Sequence, residues 1–350
     1  MASKRSRREF MKLVGAGAAV LASTPTRAQG QDAGTTPAAD AGTAKQSASL
    51  PRRKLGRTGV EVSSLCLGGH HLGTLPSVEE AVRLVHEAMD NGIDFFDNAY
   101  EYHDGQSELW MGKALEGERR KRAVVMTKVC THGRDKRTAM LQLESSLKRL
   151  KTDYLDLWQV HEVVYPDDPK NHYAKDGVLE ALVQAKKDGK VRLVGFTGHK
   201  SPDIHLDMLK RGFPFDTVQL PLNPLDGTFQ SFERKVLPVL QQRGIAALAM
   251  KTMVGNGAVV KQGVLTPEEC LRYALSLPVA SVVSGIDSRE VLQQNVRIAR
   301  SFQPLSAQEM EALRERVKPV AVSGRLELYK TSREYDGSPG RAMHNIPLKG

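Results

Sequence analysis

The chain has 350 residues, 40% hydrophobic and 5% aromatic, with a net charge of +10, so it can bury one large core or two smaller ones. Half of that excess charge lies in the first 28 residues, which hold six Lys/Arg against one Glu. No basic cluster interleaved with aromatics follows, which argues against a nucleic-acid platform. Cys66, Cys130 and Cys270 are far apart and odd in number, which leaves small buried side chains rather than a disulfide framework or a zinc ribbon.

The N-terminus reads SKRSRREFMK, then LVGAGAAVLAS, then TPTRA: a basic head, a short apolar stretch and a small-residue cleavage site ending at Ala28. An apolar run of this length falls short of the ~20 residues that span a bilayer, so no stable membrane anchor is expected. Arg7 and Arg8, framed by Ser6, Phe10 and Lys12, resemble the twin-arginine signal, which implies export of the folded protein by the twin-arginine translocation machinery to the periplasm. Residues 29–50 are rich in Ala, Gly, Thr, Ser and Gln without apolar periodicity and read as a disordered linker. GAGAAV in the leader and GNGAVV at 255–260 begin like a dinucleotide fingerprint, but the first follows no strand and the second lacks the last small residue.

From residue 51 the pattern changes. RKLGRTGVEVSS reads as a hairpin, and eight short apolar runs follow: SLCLGG, IDFFDNA, AVVMTKV, LDLWQVH, VRLVGFTGH, TVQLPLNP, IAALAMK and ASVVSGI. Between them lie stretches with apolar residues at helical spacing, such as SVEEAVRLVHEAMDNG and SREVLQQNVRIARSF. Eight β/α units in about 250 residues predict an α/β protein, a (β/α)8 TIM barrel over 51–350 with a short N-terminal hairpin and a C-terminal extension. A doubly wound sheet would carry a glycine fingerprint after its first strand, and none is there.

A TIM barrel does its chemistry where strands end. The second predicted strand ends at Asp97 and leads to Tyr102, the third ends in Lys128 and the fourth in His161. Alternation puts Ile93, Phe95 and Asp97 on one face, and Val124, Met126 and Lys128 on another. A phenol has a reference pKa of about 10, and a neighbouring ammonium eases release of its proton. Lys128 would do this to Tyr102, Asp97 would hold Lys128, and His161 would donate to or orient a carbonyl oxygen. The hydride must come from a cofactor.

GIDFFDNAYEYHDGQSE, MTKV and DLWQVH together resemble the aldo-keto reductase family over about 51–302. The resemblance implies that Asp97, Tyr102, Lys128 and His161 form a catalytic tetrad with Tyr102 as general acid, that Tyr100 is a neighbour in the pocket wall, and that the cofactor is an extended nicotinamide dinucleotide. It implies a small-molecule aldehyde or ketone substrate, and Lys251 and Arg289 favour NADP(H) as the dinucleotide, with NAD(H) possible. By position Gln219 would hold the carboxamide and Asn295 the adenine, with Gln294 where a carboxylate is common. Thr197 and Gly198 stand where Ser-Asn is usual, and Met250 where an aromatic would stack on nicotinamide. Gly285 and Ser288 could offer backbone N–H groups to phosphate, Lys251 could approach phosphate, and Arg289 could pair with a 2′-phosphate although Asp287 opposes it.

Two other readings stay open. Histidines at 70, 71, 103, 132 and 199 fall near the predicted rim, which permits a metal-dependent hydrolase, although the expected ligand pattern is missing. His70 and His71, adjacent on a strand, should point apart, so no metal residues are assigned. A nicotinamide-binding partner or sensor subunit with incidental turnover is the second, because some family members attach to channels.

Overall fold

A computed structural model describes residues 49–130 and 135–347. The signal and most of the linker assigned at the N-terminus, and His132 among the rim histidines, lie outside the described residues.

The predicted hairpin forms from β1 (Arg52–Lys54) and β2 (Glu61–Ser63), antiparallel with Arg53 opposite Val62. Eight strands follow: β3 (Leu65–Gly68), β4 (Phe95–Asp97), β5 (Val124–Val129), β6 (Leu155–Val160), β7 (Val191–Thr197), β8 (Thr217–Pro221), β9 (Ala246–Met250) and β10 (Ser281–Ser284). Each lies within one of the eight apolar runs. All pair in parallel with their sequence neighbours, and β10 closes on β3, so the fold is a closed (β/α)8 barrel.

Strand alternation sorts side chains into two cores. Cys66, Phe95, Met126, Leu157 and Leu248 fill the barrel interior, and Leu55 and Val62 of the hairpin join them. Phe96, Val125, Trp158, Phe196 and Val218 point outward into a larger core shared with the helices, where each fully buried large side chain is worth ~1.5–3 kcal/mol. Ile93 departs from the sequence reading. It precedes β4, whose first residue is Phe95, and it packs in the outer core, because alternation holds only where the chain is extended.

The helices follow their local signals. Val78–Asp90 starts at Ser77, whose side chain accepts from the Glu80 N–H, and buries Ala81, Leu84, Val85, Ala88 and Met89. Thr266 with Glu269, and Ser306 with Glu309, form capping boxes at two later helices. Trp110 packs against the outer core. None of the helices among the described residues is long and apolar enough to cross a membrane.

After helix Ala307–Ala321 the chain runs back across the C-terminal ends of the strands. Lys330, with a fully buried side chain, pairs with Asp226 at 2.7 Å and Glu327 at 2.9 Å. Tyr329 gives its carbonyl to His199 Nδ1 at 3.0 Å, and Lys200 pairs with Asp336 at 2.7 Å. This strap stands over the barrel mouth.

Candidate active site at the barrel mouth

β4 and β5 bring the carboxylate and the ammonium together inside the barrel. Lys128 Nζ lies 2.5 Å from Asp97 Oδ1, 2.6 Å from the Asn98 carbonyl and 3.3 Å from the Tyr102 hydroxyl. Lys128 is 1% exposed and Asp97 3%. Such a pair is tolerable only because the ammonium finds three oxygen acceptors. Burial, ahead of the opposing pull of Lys128, raises the Asp97 carboxyl above its usual range.

The loop after β4 delivers Tyr102. His103, Asp104 and Gly105 take φ of 52°, 56° and 88°, a left-handed run that costs roughly 1–2 kcal/mol for each non-glycine residue. The loop is tied down behind the site. Ser107 Oγ donates to the Gly69 carbonyl at 2.6 Å, Thr127 Oγ1 donates to buried Glu108 at 2.6 Å, and Arg149 reaches both Glu108 and the Tyr100 carbonyl. The Arg149 guanidinium lies 4.5 Å from the centre of the Tyr100 ring, so Tyr100 braces this scaffold. The Ser-Glu after the tyrosine is its visible signal in the sequence; Arg149 had none, because its contact spans 41 residues.

His161 follows β6, its ring edge-on to that of Tyr102 with centroids 5.6 Å apart. Its Nδ1 is 2.5 Å from Glu101 Oε1, a contact that sequence reasoning did not contain. Glu162, the next residue, has a left-handed backbone (φ 53°) and accepts the Gly337 N–H of the strap at 3.0 Å. Burial first, and Glu101 in support, push its carboxyl up to about 7. The expected easing of proton loss from Tyr102 by Lys128 is outweighed in the folded chain. Burial first, then Asp97, Glu101 and Glu162, hold the phenol well above its ordinary value.

His70 and His71 are not on a strand. β3 stops at Gly68, and Gly69–Leu72 form one helical turn, which leaves the two rings 5.5 Å apart. His70 packs edge-on to Tyr102 at 5.2 Å, and burial first, then His71, His103, Lys251 and Lys128, pulls it down to about 4. His103 Nε2 sits 2.8 Å from the His70 carbonyl. Among the described residues, the groups of three whose ligand atoms converge are Glu101–His161–Glu162 and Asp167–Asp168–His344. Neither includes His70, His71, His103 or His199.

The residues assigned to the cofactor spread over the last four strand ends. Gln159 Nε2 donates to Gln219 Oε1 at 2.9 Å, which leaves the Gln219 amide nitrogen for another partner. Thr197 ends β7, buried. The following Gly198 is sterically required: a Cβ there would stand 2.3 Å from the Val163 carbonyl oxygen, so an asparagine does not fit in this chain. Met250 ends β9, and the Lys251 ammonium lies 5.0 Å and 5.6 Å from the ring centres of Tyr335 and Tyr329. It has no carboxylate within ion-pair distance among the described residues, and burial pulls it down to about 8. Ser288 caps helix Arg289–Arg300, Asn295 is buried on it, and Gln294 is half-buried. The His71 ring covers Gly285, where a Cβ would fall 2.3 Å from it. Arg289 is on the outer surface, paired with Glu87 at 2.9 Å, so service at a 2′-phosphate would require that pair to break.

A closed parallel barrel with carboxylate, ammonium, phenol and imidazole gathered at its C-terminal mouth defines a TIM-barrel oxidoreductase. The chain belongs to the aldo/keto reductase family, whose model matches residues 64–268. It is 34% identical over 224 residues to the oxidoreductase YrpG of Bacillus subtilis, covering 58% of this chain and 66% of that one. To L-galactose dehydrogenase of Arabidopsis thaliana it is 28% identical over 308 residues, 76% of this chain and 95% of that one. Among solved structures it resembles the holo form of an aldo-keto reductase from Bacillus halodurans. There the TM-score is 0.64 and the identity 26%, with 78% of this chain and 96% of that chain covered.

Proposed function

We propose that the protein interconverts an aldehyde or ketone and its alcohol, with Tyr102 exchanging the proton at the reacting oxygen. A nicotinamide dinucleotide, when bound, supplies or accepts the hydride. The observation that carries the reading is the Asp97–Lys128–Tyr102 line, with its 2.5 Å and 3.3 Å contacts, beside the His161 ring. The high phenol keeps Tyr102 protonated, the form a general acid needs. As the proton leaves, the ammonium at 3.3 Å stabilises the charge left on the phenol oxygen. Asp97 and the Asn98 carbonyl hold that ammonium in place.

The residues present fit the dinucleotide. Asn295 Oδ1 is a buried acceptor without a partner among the described residues, its Nδ2 being held by Ser284 at 2.9 Å; an adenine amino group would satisfy it. Gln219 and Thr197 would hold the carboxamide, Met250 would pack on the ring, and Lys251, Gly285 and Ser288 would meet phosphate. The reading takes NADP(H) first and NAD(H) second; Lys251 favours phosphate, whereas the Arg289–Glu87 pair favours neither. The substrate is taken as hydroxyl-rich: a relative is named a dehydrogenase of the sugar L-galactose, and the rim here is polar, with Glu101, Glu162, His70 and His161.

Tyr102→Phe tests the reading. Turnover on a panel of aldehydes and sugars should fall at least ~10²-fold, with cofactor affinity, measured by fluorescence titration with NADPH and NADH, unchanged. Intact turnover in that variant would sink the assignment, and negligible wild-type rates with retained cofactor would favour the sensor subunit. The twin-arginine export reading belongs to the same proposal. Arg7→Lys/Arg8→Lys should strand the full chain in the cytoplasm in a cell-fractionation assay, and unchanged export would remove it.

A further inference from the structure

Two strand ends bring Glu101, His161 and Glu162 together: the turn after β4 carries the first, and the residues that follow β6 carry the other two. One ligand atom from each lies within 4.8 Å of the others. The group is sheltered, unlike an exposed acidic patch, with the Glu101 and His161 side chains 21% and 9% exposed and Glu162 half-buried. His161 Nδ1 stands 2.5 Å from Glu101 Oε1 yet has no hydrogen-bond partner among the described residues.

At so short a separation only direction can fail, so the carboxylate oxygen lies to the side of the line along which the ring nitrogen bonds. Donors around one metal ion have this relation: each lone pair points at the ion, and the neighbouring donor stands beside it. One imidazole nitrogen with two carboxylates suits a borderline divalent cation such as zinc, whereas calcium and magnesium take oxygen ligands. Zinc donors lie about 2.0–2.2 Å from the ion and so roughly 3.3 Å apart in a tetrahedron, which a swing of the Glu101 carboxylate by about 1 Å would reach.

We propose that Glu101, His161 Nδ1 and Glu162 form a site for a divalent cation of the zinc class, with water in the fourth position, and that the bound ion inhibits turnover by competing with substrate. The inhibition rests on the carbonyl–alcohol reading above; the site itself does not. As the ion binds, the ring gives up any proton on Nδ1 and the two carboxylates offset the charge. Glu162 also accepts the Gly337 N–H at 3.0 Å, so the ion would join the turn that delivers Tyr102, the end of β6 and the strap. It takes three of the polar rim groups offered to a hydroxyl-rich substrate, His161 among them, and the effect is to exclude substrate rather than to activate it.

Calorimetric titration of the full chain, treated with EDTA and then freed of it, with zinc chloride tests the site. The wild type should take up one tight equivalent. Glu101→Gln, Glu162→Gln and His161→Asn should each weaken it at least ~10-fold, since even an outer partner of a metal ligand is worth that much. His344→Asn, at the other converging group of Asp167, Asp168 and His344, should leave the affinity unchanged. Cobalt chloride should give the visible band of tetrahedral cobalt in the wild type and lose it in His161→Asn. Thermal melts identify any variant that does not fold, and the remaining ones then decide. In steady state zinc should raise KM for the carbonyl severalfold without lowering kcat. Absence of stoichiometric zinc, the result if a doubly protonated His161 ring bridges the two carboxylates instead, would overturn the proposal. Equal affinity in all the folded site variants, or turnover raised by zinc, would do the same. The calorimetry needs no turnover, so failure of the catalytic reading, seen in Tyr102→Phe, remains distinguishable from failure of this one.

Discussion

Removing one end of the Asp97–Lys128 pair should cost more than removing both. The partners are 3% and 1% exposed and 2.5 Å apart, and breaking a pair buried in this way costs ~3–5 kcal/mol. Asp97→Asn removes the only negative charge bonded to the ammonium and leaves it in the barrel interior among neutral acceptors, the asparagine Oδ1, the Asn98 carbonyl at 2.6 Å and the Tyr102 hydroxyl at 3.3 Å, so the full cost is expected. Lys128→Met leaves a carboxyl that burial already raises and that can neutralise itself by taking up a proton, so its cost should be smaller, about 1–3 kcal/mol. The double variant replaces the pair with neutral groups and should return to within about 1–2 kcal/mol of wild type. In a folded unit of this size 1 kcal/mol moves the midpoint by about 2 °C, so Asp97→Asn should melt about 6–10 °C early. Circular dichroism at pH 7 and one fixed scan rate measures all four proteins. An Asp97→Asn midpoint within 2 °C of wild type, or a double variant that loses the sum of the singles, would refute the view that the pair is a desolvated unit.

Lys251 and Glu162 give two pH-dependent outcomes of opposite sign. Lys251 is depressed to about 8, so its contribution is present above the unfolded value near 10.5 and is lost as pH falls through 8. Lys251→Met should therefore be more stable than wild type at pH 7 by about 1–2 kcal/mol after discounting for its partial exposure, with the gap narrowing toward pH 9.5 in urea titrations, while NADPH affinity falls. A gap that does not narrow would argue against a desolvated ammonium. Glu162 is raised to about 7, so its contribution is present below 4.5 and is lost as pH rises through 7. Relative to Glu162→Gln, the wild type should lose ground between pH 5 and pH 8, and equal differences at the two pH values would contradict the burial of that carboxyl.

The order of eight strands and the ends at which Asp97, Tyr102, Lys128 and His161 stand are local properties of the chain. Apolar runs bounded by turn residues fix them, and parallel pairing of neighbours then closes the barrel without further instruction. Contacts between side chains on non-adjacent segments are different, because no spacing along the chain encodes them. The Glu101–His161 approach joins the β4 loop to the end of β6, and the hold of Gly337 on Glu162 bridges 175 positions. Arg289 turns outward to Glu87 because helix packing, not sequence motif, sets which face meets solvent. The upward displacement of Tyr102 belongs to the same class: a phenol's ionisation is a sum over burial and every surrounding charge, and those distances exist only once the chain has folded.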